Sequence, residues 1–218
     1  MKEDIFLRYF YEDYERMFEI IKNHKNKRII FKSEIEGNKY YIKKYVLKGR
    51  KVLSVKVGLK RDKASHYKFI SNKLKKLRVN HVEPYYIKTI TKSLLNIESI
   101  LVTREEGTKT VEDFIMDFKE HQKIFKVFFD TFIFLCKNGI YCTDYNLSGM
   151  LVNEKNELLL IDFDSYKTKF YLSKKFKKRV IDGLINGYKA ENYYSCKEFQ
   201  EYCEKELKRV LEKLKWNF

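Results

Sequence analysis

The sequence predicts an α+β protein: a small antiparallel sheet with one packed helix in the first half, and a mainly helical second half. Three observations carry this. Short apolar runs flanked by turn residues recur between residues 28 and 102. Beyond residue 110, apolar side chains return at three- and four-residue steps over longer segments. The 218 residues are 44% apolar, enough for a core, yet contain 8 Gly and one Pro, which excludes a flexible linker between independent domains. The expected organisation is one domain of two parts, 1–103 and 104–218.

The elements follow in order. Phe6, Phe10, Tyr14, Met17 and Ile21 place a helix over residues 5–23. Residues 28–35 read as a strand, 36–39 as a turn with Gly37 and Asn38 supplying positive φ, and 39–46 as the return strand. A second turn at 48–50 leads to a third strand, 51–57, completing a meander. Tyr67, Ile70, Leu74 and Leu77 mark one face of a helix over 64–77, and 85–90 and 93–102 read as strands. A short helix over 110–116 precedes a long one over 120–137, with Ile124, Val127, Phe128, Phe132 and Leu135 on its buried side and Gly139 closing it. Residues 150–152 and 158–161 are short buried strands, and helices over 173–186 and 196–215 finish the chain.

Lys and Arg number 46 against 30 Asp and Glu, a net +16. Such a balance points to an anionic partner, although a composition rich in Lys, Ile, Asn, Tyr and Phe accounts for part of it. Nucleic acid is not expected, because no nucleic-acid motif is present. The four cysteines form no C-x-x-C pair, so a zinc site is not expected, and free thiols in the cytoplasm are. The opening residues lack the apolar core of a secretory signal, and no run is long enough to span a bilayer. Peripheral membrane contact stays open.

Two acids stand out by position. Asp144 lies in the loop after the long helix. Asp162 ends the apolar run Leu158-Leu-Leu-Ile161, where an acid is costly unless paired or metal-bound. The strand–turn–strand between them should return the chain on itself, so both carboxylates are expected at one mouth. Paired carboxylates there suit a divalent cation and a substrate hydroxyl.

A strand lysine, then a loop Asp, then an Asp ending a strand resembles the order of the protein-kinase-like fold. Lys39-Tyr-Tyr-Ile-Lys-Lys-Tyr-Val46, Glu105-Glu-Gly107, Thr143-Asp-Tyr-Asn-Leu-Ser-Gly-Met-Leu-Val152 and Leu160-Ile-Asp-Phe-Asp164 together resemble the bacterial lipopolysaccharide core heptose kinases. The resemblance covers roughly residues 28–180. It implies a two-lobed fold, with a small antiparallel-sheet N-lobe and a mainly helical C-lobe. It also implies ATP-dependent phosphorylation of an inner-core sugar with Mg²⁺, beside an anionic inner membrane.

On that resemblance Lys44 is the nucleotide-phosphate lysine, with Lys43 the alternative one residue away. Lys44 is preferred because it shares a strand face with Ile42, expected against adenine. Glu105, Glu106 and Gly107 form the hinge that meets adenine. Asp144 is the catalytic base, and Asp162 the metal ligand, helped by Asn146 or Asp164. Lys167, Lys169, Lys174 and Lys175 line the acceptor's approach. The departures are Gly149 where the pattern has a metal-binding Asn, no acid between Ala64 and Val82 to pair the lysine, and Phe31-Lys-Ser-Glu-Ile35 in place of a Gly-rich loop. They keep a second reading open: a catalytically impaired pseudokinase used as a binding module. A protein Ser/Thr kinase is disfavoured, since the catalytic loop lacks that group's Arg and Lys.

Overall fold

The computed structural model describes residues 2–11, 19–25, 27–189 and 191–217, which form two compact units, residues 1–106 and 107–218. The fold is α+β, an antiparallel-sheet first unit and a mainly helical second one.

In the first unit the alternating runs become one antiparallel sheet, β1 (Glu19–His24), β2 (Arg28–Ile35), β3 (Asn38–Lys48), β4 (Pro84–Ser93) and β5 (Asn96–Arg104), ordered β1-β2-β3-β5-β4. The β2–β3 connection is a two-residue turn in which Glu36 and Gly37 take positive φ, one residue earlier than expected, and Ile35 faces Asn38 across it. One sheet face carries Ile29, Phe31, Tyr40, Ile42, Ile100 and Val102, and helix α1 (Lys2–Tyr11) buries Phe6, Tyr9 and Phe10 against it. Leu101, Ser99 and Thr103 alternate onto the other face and are buried too. Helix α3 (Lys63–Lys76) packs on β4 and β5, burying Tyr67, Ile70 and Leu74. Its N-terminus is capped by Asp62, which accepts from the Ser65 backbone N–H at 3.1 Å and the Ser65 hydroxyl at 2.6 Å.

Two expectations are corrected here. The described part of the first helix is Lys2–Tyr11, and Glu19–His24, expected in the same helix, is an edge strand on β2. The expected face residues Tyr14 and Met17 lie outside the described residues. The β-branched Ile20 pairs with Phe31 on an otherwise open edge, and the register shifts at Ile21. Residues 51–57 are not a third meander strand. Lys51–Lys56 is a short helix, α2, because β2 and β5 already occupy both edges of β3. Gly49, at φ +77°, turns the chain out of the sheet, and its N–H donates to Leu95 O.

In the second unit, α4 (Phe118–Lys137) is the central helix. Ile124, Phe125, Phe128, Phe132 and Leu135 are buried, whereas Val127, expected on that side, is 46% exposed. Helix α6 (Lys197–Leu214) packs along α4 through Phe199, whose ring meets Phe118 and Phe125. Residues 110–116 hold a single 3₁₀ turn, Val111–Phe114. Two small sheets complete the unit: β6 (Lys109–Thr110) with β8 (Met150–Val152) and β9 (Leu158–Leu160), and β7 (Ile140–Cys142) with β10 (Tyr166–Thr168). Helix α5 (Lys174–Tyr188) follows β10 and is capped by the Ser173 hydroxyl, which accepts from Phe176 N–H. Among the described residues all four cysteines are free, and no helix is long and apolar enough to cross a membrane.

Candidate active site

The loop bearing Asp144 leaves β7 and is held from two sides. Tyr145 points inward, 2% exposed, stacks near Phe128 and Phe132, and donates its hydroxyl hydrogen to the Phe128 carbonyl of α4 at 2.9 Å. On the other side lies α5. A Cβ on Gly183 would stand 2.5 Å from the Thr143 carbonyl oxygen, and one on Gly187 would overlap the Tyr145 carbonyl outright. Residues 143 and 145 are thus clamped, and Asp144 between them projects outward, exposed.

Asp162 reaches the same place by another route. The β8–β9 hairpin pairs Met150 with Leu160, and Ile161 N–H donates to Gly149 O at 3.0 Å, closing the hairpin beside the loop. Asp162 then takes a left-handed conformation, φ +58°, an arrangement Asp tolerates better than most residues. The chain makes one 3₁₀ turn, Phe163–Ser165, and β10 pairs back onto β7, Tyr166 opposite Cys142. Cys142 Sγ shares a 3.0 Å hydrogen bond with Ser165 Oγ. Burial pushes its thiol up to about 12; the Ser165 hydroxyl and the Asp144 backbone oppose this, and the charges of Asp144 and Asp162 add to it. The Asp144 loop and the Asp162 turn thus lie at the same end of the β7–β10 pair.

Asn146 links the parts of this loop. Its Nδ2 donates to Asp144 Oδ1 and to Asp144 O, each at 3.3 Å, and Ser148 Oγ donates to its Oδ1 at 3.0 Å. A Cβ on Gly149 would lie 3.0 Å from Asn146 Oδ1. The Asn146 carboxamide thus fills the space a side chain at position 149 would enter. Among the described residues no three His, Cys, Asp or Glu side chains cluster as a metal cage. Mg²⁺ does not need one, since it is held by one or two carboxylates, water and substrate phosphates. Asp162 and Asp144, with the Asn146 amide oxygen, are a donor set of the right hardness. Asp164 is half-buried within the 3₁₀ turn.

In the first unit, Lys44 lies on the α1 face, opposite Ile29 and Ile100, and is 4% exposed. Its ammonium is 3.2 Å from Glu98 Oε2 and 6.0 Å from the Phe10 ring centre. Burial pulls its pKa below the ordinary lysine value, and Glu98 opposes the shift. Ile42 is fully buried in the α1 cluster, which corrects the expectation that it packs on adenine and removes the ground for preferring Lys44. Lys43 is half-buried on the opposite face, across from Leu101. Glu98 was not singled out in the sequence because nothing local marks its partner. Replacing Lys44 with Met should cost about 2 kcal/mol in urea unfolding, below the usual penalty for a deeply buried pair since Glu98 keeps some exposure, and Lys44→Met/Glu98→Met should recover most of it.

The Glu105 N–H donates to Lys39 O, and its carboxylate accepts from Tyr41 at 3.0 Å and pairs with Lys32 at 2.9 Å. The Lys32 hydrogen bond holds that carboxyl below the usual range. Glu105 therefore serves the sheet, and Glu106 beside it is exposed. A Cβ on Gly107 would meet Val152 O at 2.9 Å. Lys167, Lys174 and Lys175 are exposed, while Lys169 lies over the Phe176 ring at 4.7 Å. The glycines Gly183 and Gly187 escaped the sequence reading, although two glycines four apart inside a helix are a signal of close backbone approach.

No protein-family model and no curated protein matches the chain. Solved structures do. WaaP in complex with acyl carrier protein is similar over 95% of this chain and 97% of that one, with TM-score 0.56 and 14% identity. The ROP18 kinase domain in complex with AMP-PNP and sucrose is similar over 89% of this chain and 76% of that one, with TM-score 0.54 and 9% identity. The chain thus has a protein-kinase-like fold.

Proposed function

We propose that the chain is an ATP-dependent phosphotransferase whose acceptor is a sugar hydroxyl, a heptose of the lipopolysaccharide inner core. One observation supports the reading: a protein-kinase-like fold in which the Asp144 loop leaves β7 at the end where the turn from Asp162 enters β10, its paired strand. The resemblance to core heptose kinases, and the fold likeness to WaaP, support the acceptor class.

In this reading Asp144 receives the hydroxyl proton and orients the attacking oxygen. Asn146 holds the Asp144 carboxylate in place, and its amide oxygen joins Asp162 in holding Mg²⁺, which supplies charge neutralisation on the phosphates when bound. Lys43 takes the role of phosphate lysine, because Lys44 is committed to Glu98 beneath α1. Glu106 and Gly107 meet adenine. Lys167, Lys174 and Lys175 attract the anionic acceptor. Positioning and charge stabilisation supply the rate, as phosphoryl transfer requires.

The test is thermal unfolding with ATP, with and without Mg²⁺, followed by transfer of labelled phosphate to inner-core oligosaccharide. At ligand about 100-fold above Kd, stabilisation is about 2.7 kcal/mol, a shift of roughly 5–10 °C for a chain of this size. Asp162→Asn should remove the metal-dependent part. No shift with either form would defeat the nucleotide reading, and a shift without transfer would favour the binding-module alternative.

A further inference from the structure

The charge is not spread evenly. Residues 37–82 hold fifteen Lys and Arg against the single Asp62, a net +14 out of the chain's +16. Asp62 is the cap of α3, and Lys44, one of the fifteen, is itself buried against Glu98. This segment lies in the first unit, away in sequence from the lysines assigned to the acceptor.

The same region exposes aliphatic side chains. Leu53 on α2 and Val57 just past its end are 45% and 67% exposed, and Leu59 is 79% exposed. Lys60 N–H donates to Ser54 O, folding the Leu59 loop back against α2. Beside them is the β4–β5 turn, where Leu94 and Leu95 are 72% and 44% exposed. Gly49 N–H to Leu95 O and Lys56 Nζ to Ser93 O, 3.2 Å, tie that turn to α2. Lys48, Arg50, Lys51 and Lys60 are exposed around this patch. A Cβ on Gly49 or Gly58 would meet nothing within 4 Å.

We infer that this end of the first unit, α2 with the β4–β5 turn, is a docking surface for an anionic lipid bilayer. Protruding Leu and Val side chains enter the interfacial region, and the lysine rim meets lipid phosphates. Scattered aliphatic tips on convex loops suit a fluid surface, which needs no matching shape. A single-stranded nucleic acid would ask for exposed rings to stack on, and among the described residues α2 and the β4–β5 turn carry none. The inference goes beyond the proposed function and stands on α2 and the β4–β5 turn, whose residues play no part in phosphotransfer.

The test is co-sedimentation of the full chain, without nucleotide or lipopolysaccharide, with vesicles of phosphatidylcholine alone or with 30% phosphatidylglycerol, a composition of order set by the anionic leaflet. Binding should be at least about ten-fold tighter to the anionic vesicles, and Lys51→Glu/Lys60→Glu should weaken it at least about twenty-fold. Leu59→Ser/Leu94→Ser should weaken it about five-fold or more. All four positions are exposed, so circular dichroism melting should be unchanged. Asp144→Asn should bind vesicles as the wild type does, which separates this surface from the catalytic reading. Equal binding to both vesicle types, or variants that bind like wild type, would overturn the proposal. So would a loss confined to Phe170→Ser/Tyr171→Ser, the exposed aromatic pair of the second unit. Self-association in light scattering that Leu59→Ser/Leu94→Ser abolishes, with no vesicle binding, would assign the patch to a second copy of the chain instead.

Discussion

Gly187→Ala will destabilise the protein by about 3 kcal/mol or more and will disable the Asp144 loop. Two effects oppose each other. Alanine inside a helix is favoured over glycine by about 1 kcal/mol. Against this, the new methyl group has no room, because the Tyr145 carbonyl already occupies its place. Overpacking of a tight contact costs about 1–3 kcal/mol, and more when the obstacle is backbone. Here it is backbone on both sides, since Tyr145 is itself fixed to α4 through the Phe128 carbonyl. Relief must come by moving α5 or residues 143–146, and the second displaces Asp144. Gly183→Ala, facing Thr143 O at 2.5 Å, should behave similarly. Asn186→Ala on the exposed side of the same helix should instead gain a few tenths of a kcal/mol. Urea midpoints of the three variants check the order. If Gly187→Ala is as stable as wild type, α5 does not seat against this loop as described.

Asp144→Asn will lower kcat by about 10²–10⁴, the range for loss of a positioned general base, while leaving the unfolding temperature unchanged. The fold should tolerate it because Asp144 is exposed and its loop is anchored by Tyr145 and by the glycines of α5. Nucleotide affinity should be nearly unaffected, since in the proposed mechanism the substituted group meets the acceptor rather than the phosphates. Asn146→Ala should act differently. It removes two hydrogen bonds to Asp144 and the amide oxygen beside Gly149, so it should reduce kcat and also raise the Mg²⁺ concentration needed for half-maximal rate. Asn146→Asp, which keeps an oxygen in place, should restore the metal dependence more than the rate. Steady-state kinetics across a Mg²⁺ series distinguish the two residues. Full turnover in Asp144→Asn would remove it from the chemistry.

Particular residues show where the sequence could be read and where it could not. Asp162 was legible because four apolar residues precede it: such a run must be buried, and an acid at its end needs a reason. Asp144 was legible from its place after a helix that Gly139 closes. The turn at Glu36 and Gly37 was nearly so, wrong by one residue, since local chemistry places a glycine turn but not its phase. Residues 51–57 misled. Val52, Val55 and Val57 look like a strand, but strand formation needs a free edge, and neither edge of β3 was free.

By itself the sequence determined the class of elements, the antiparallel sheet before the helices, and the two acids worth attention, because these depend on periodicity and on the cost of burying charge. Alternation also guaranteed that Lys43 and Lys44 face opposite ways. Only the tertiary structure decided which of those faces α1 covers, that Glu98 rather than a helix acid meets Lys44, and that Gly183 and Gly187 admit the backbone of residues 143 and 145. Each of these is a contact between residues distant in the chain, and neither propensity nor spacing carries information about a partner that arrives from elsewhere in the fold.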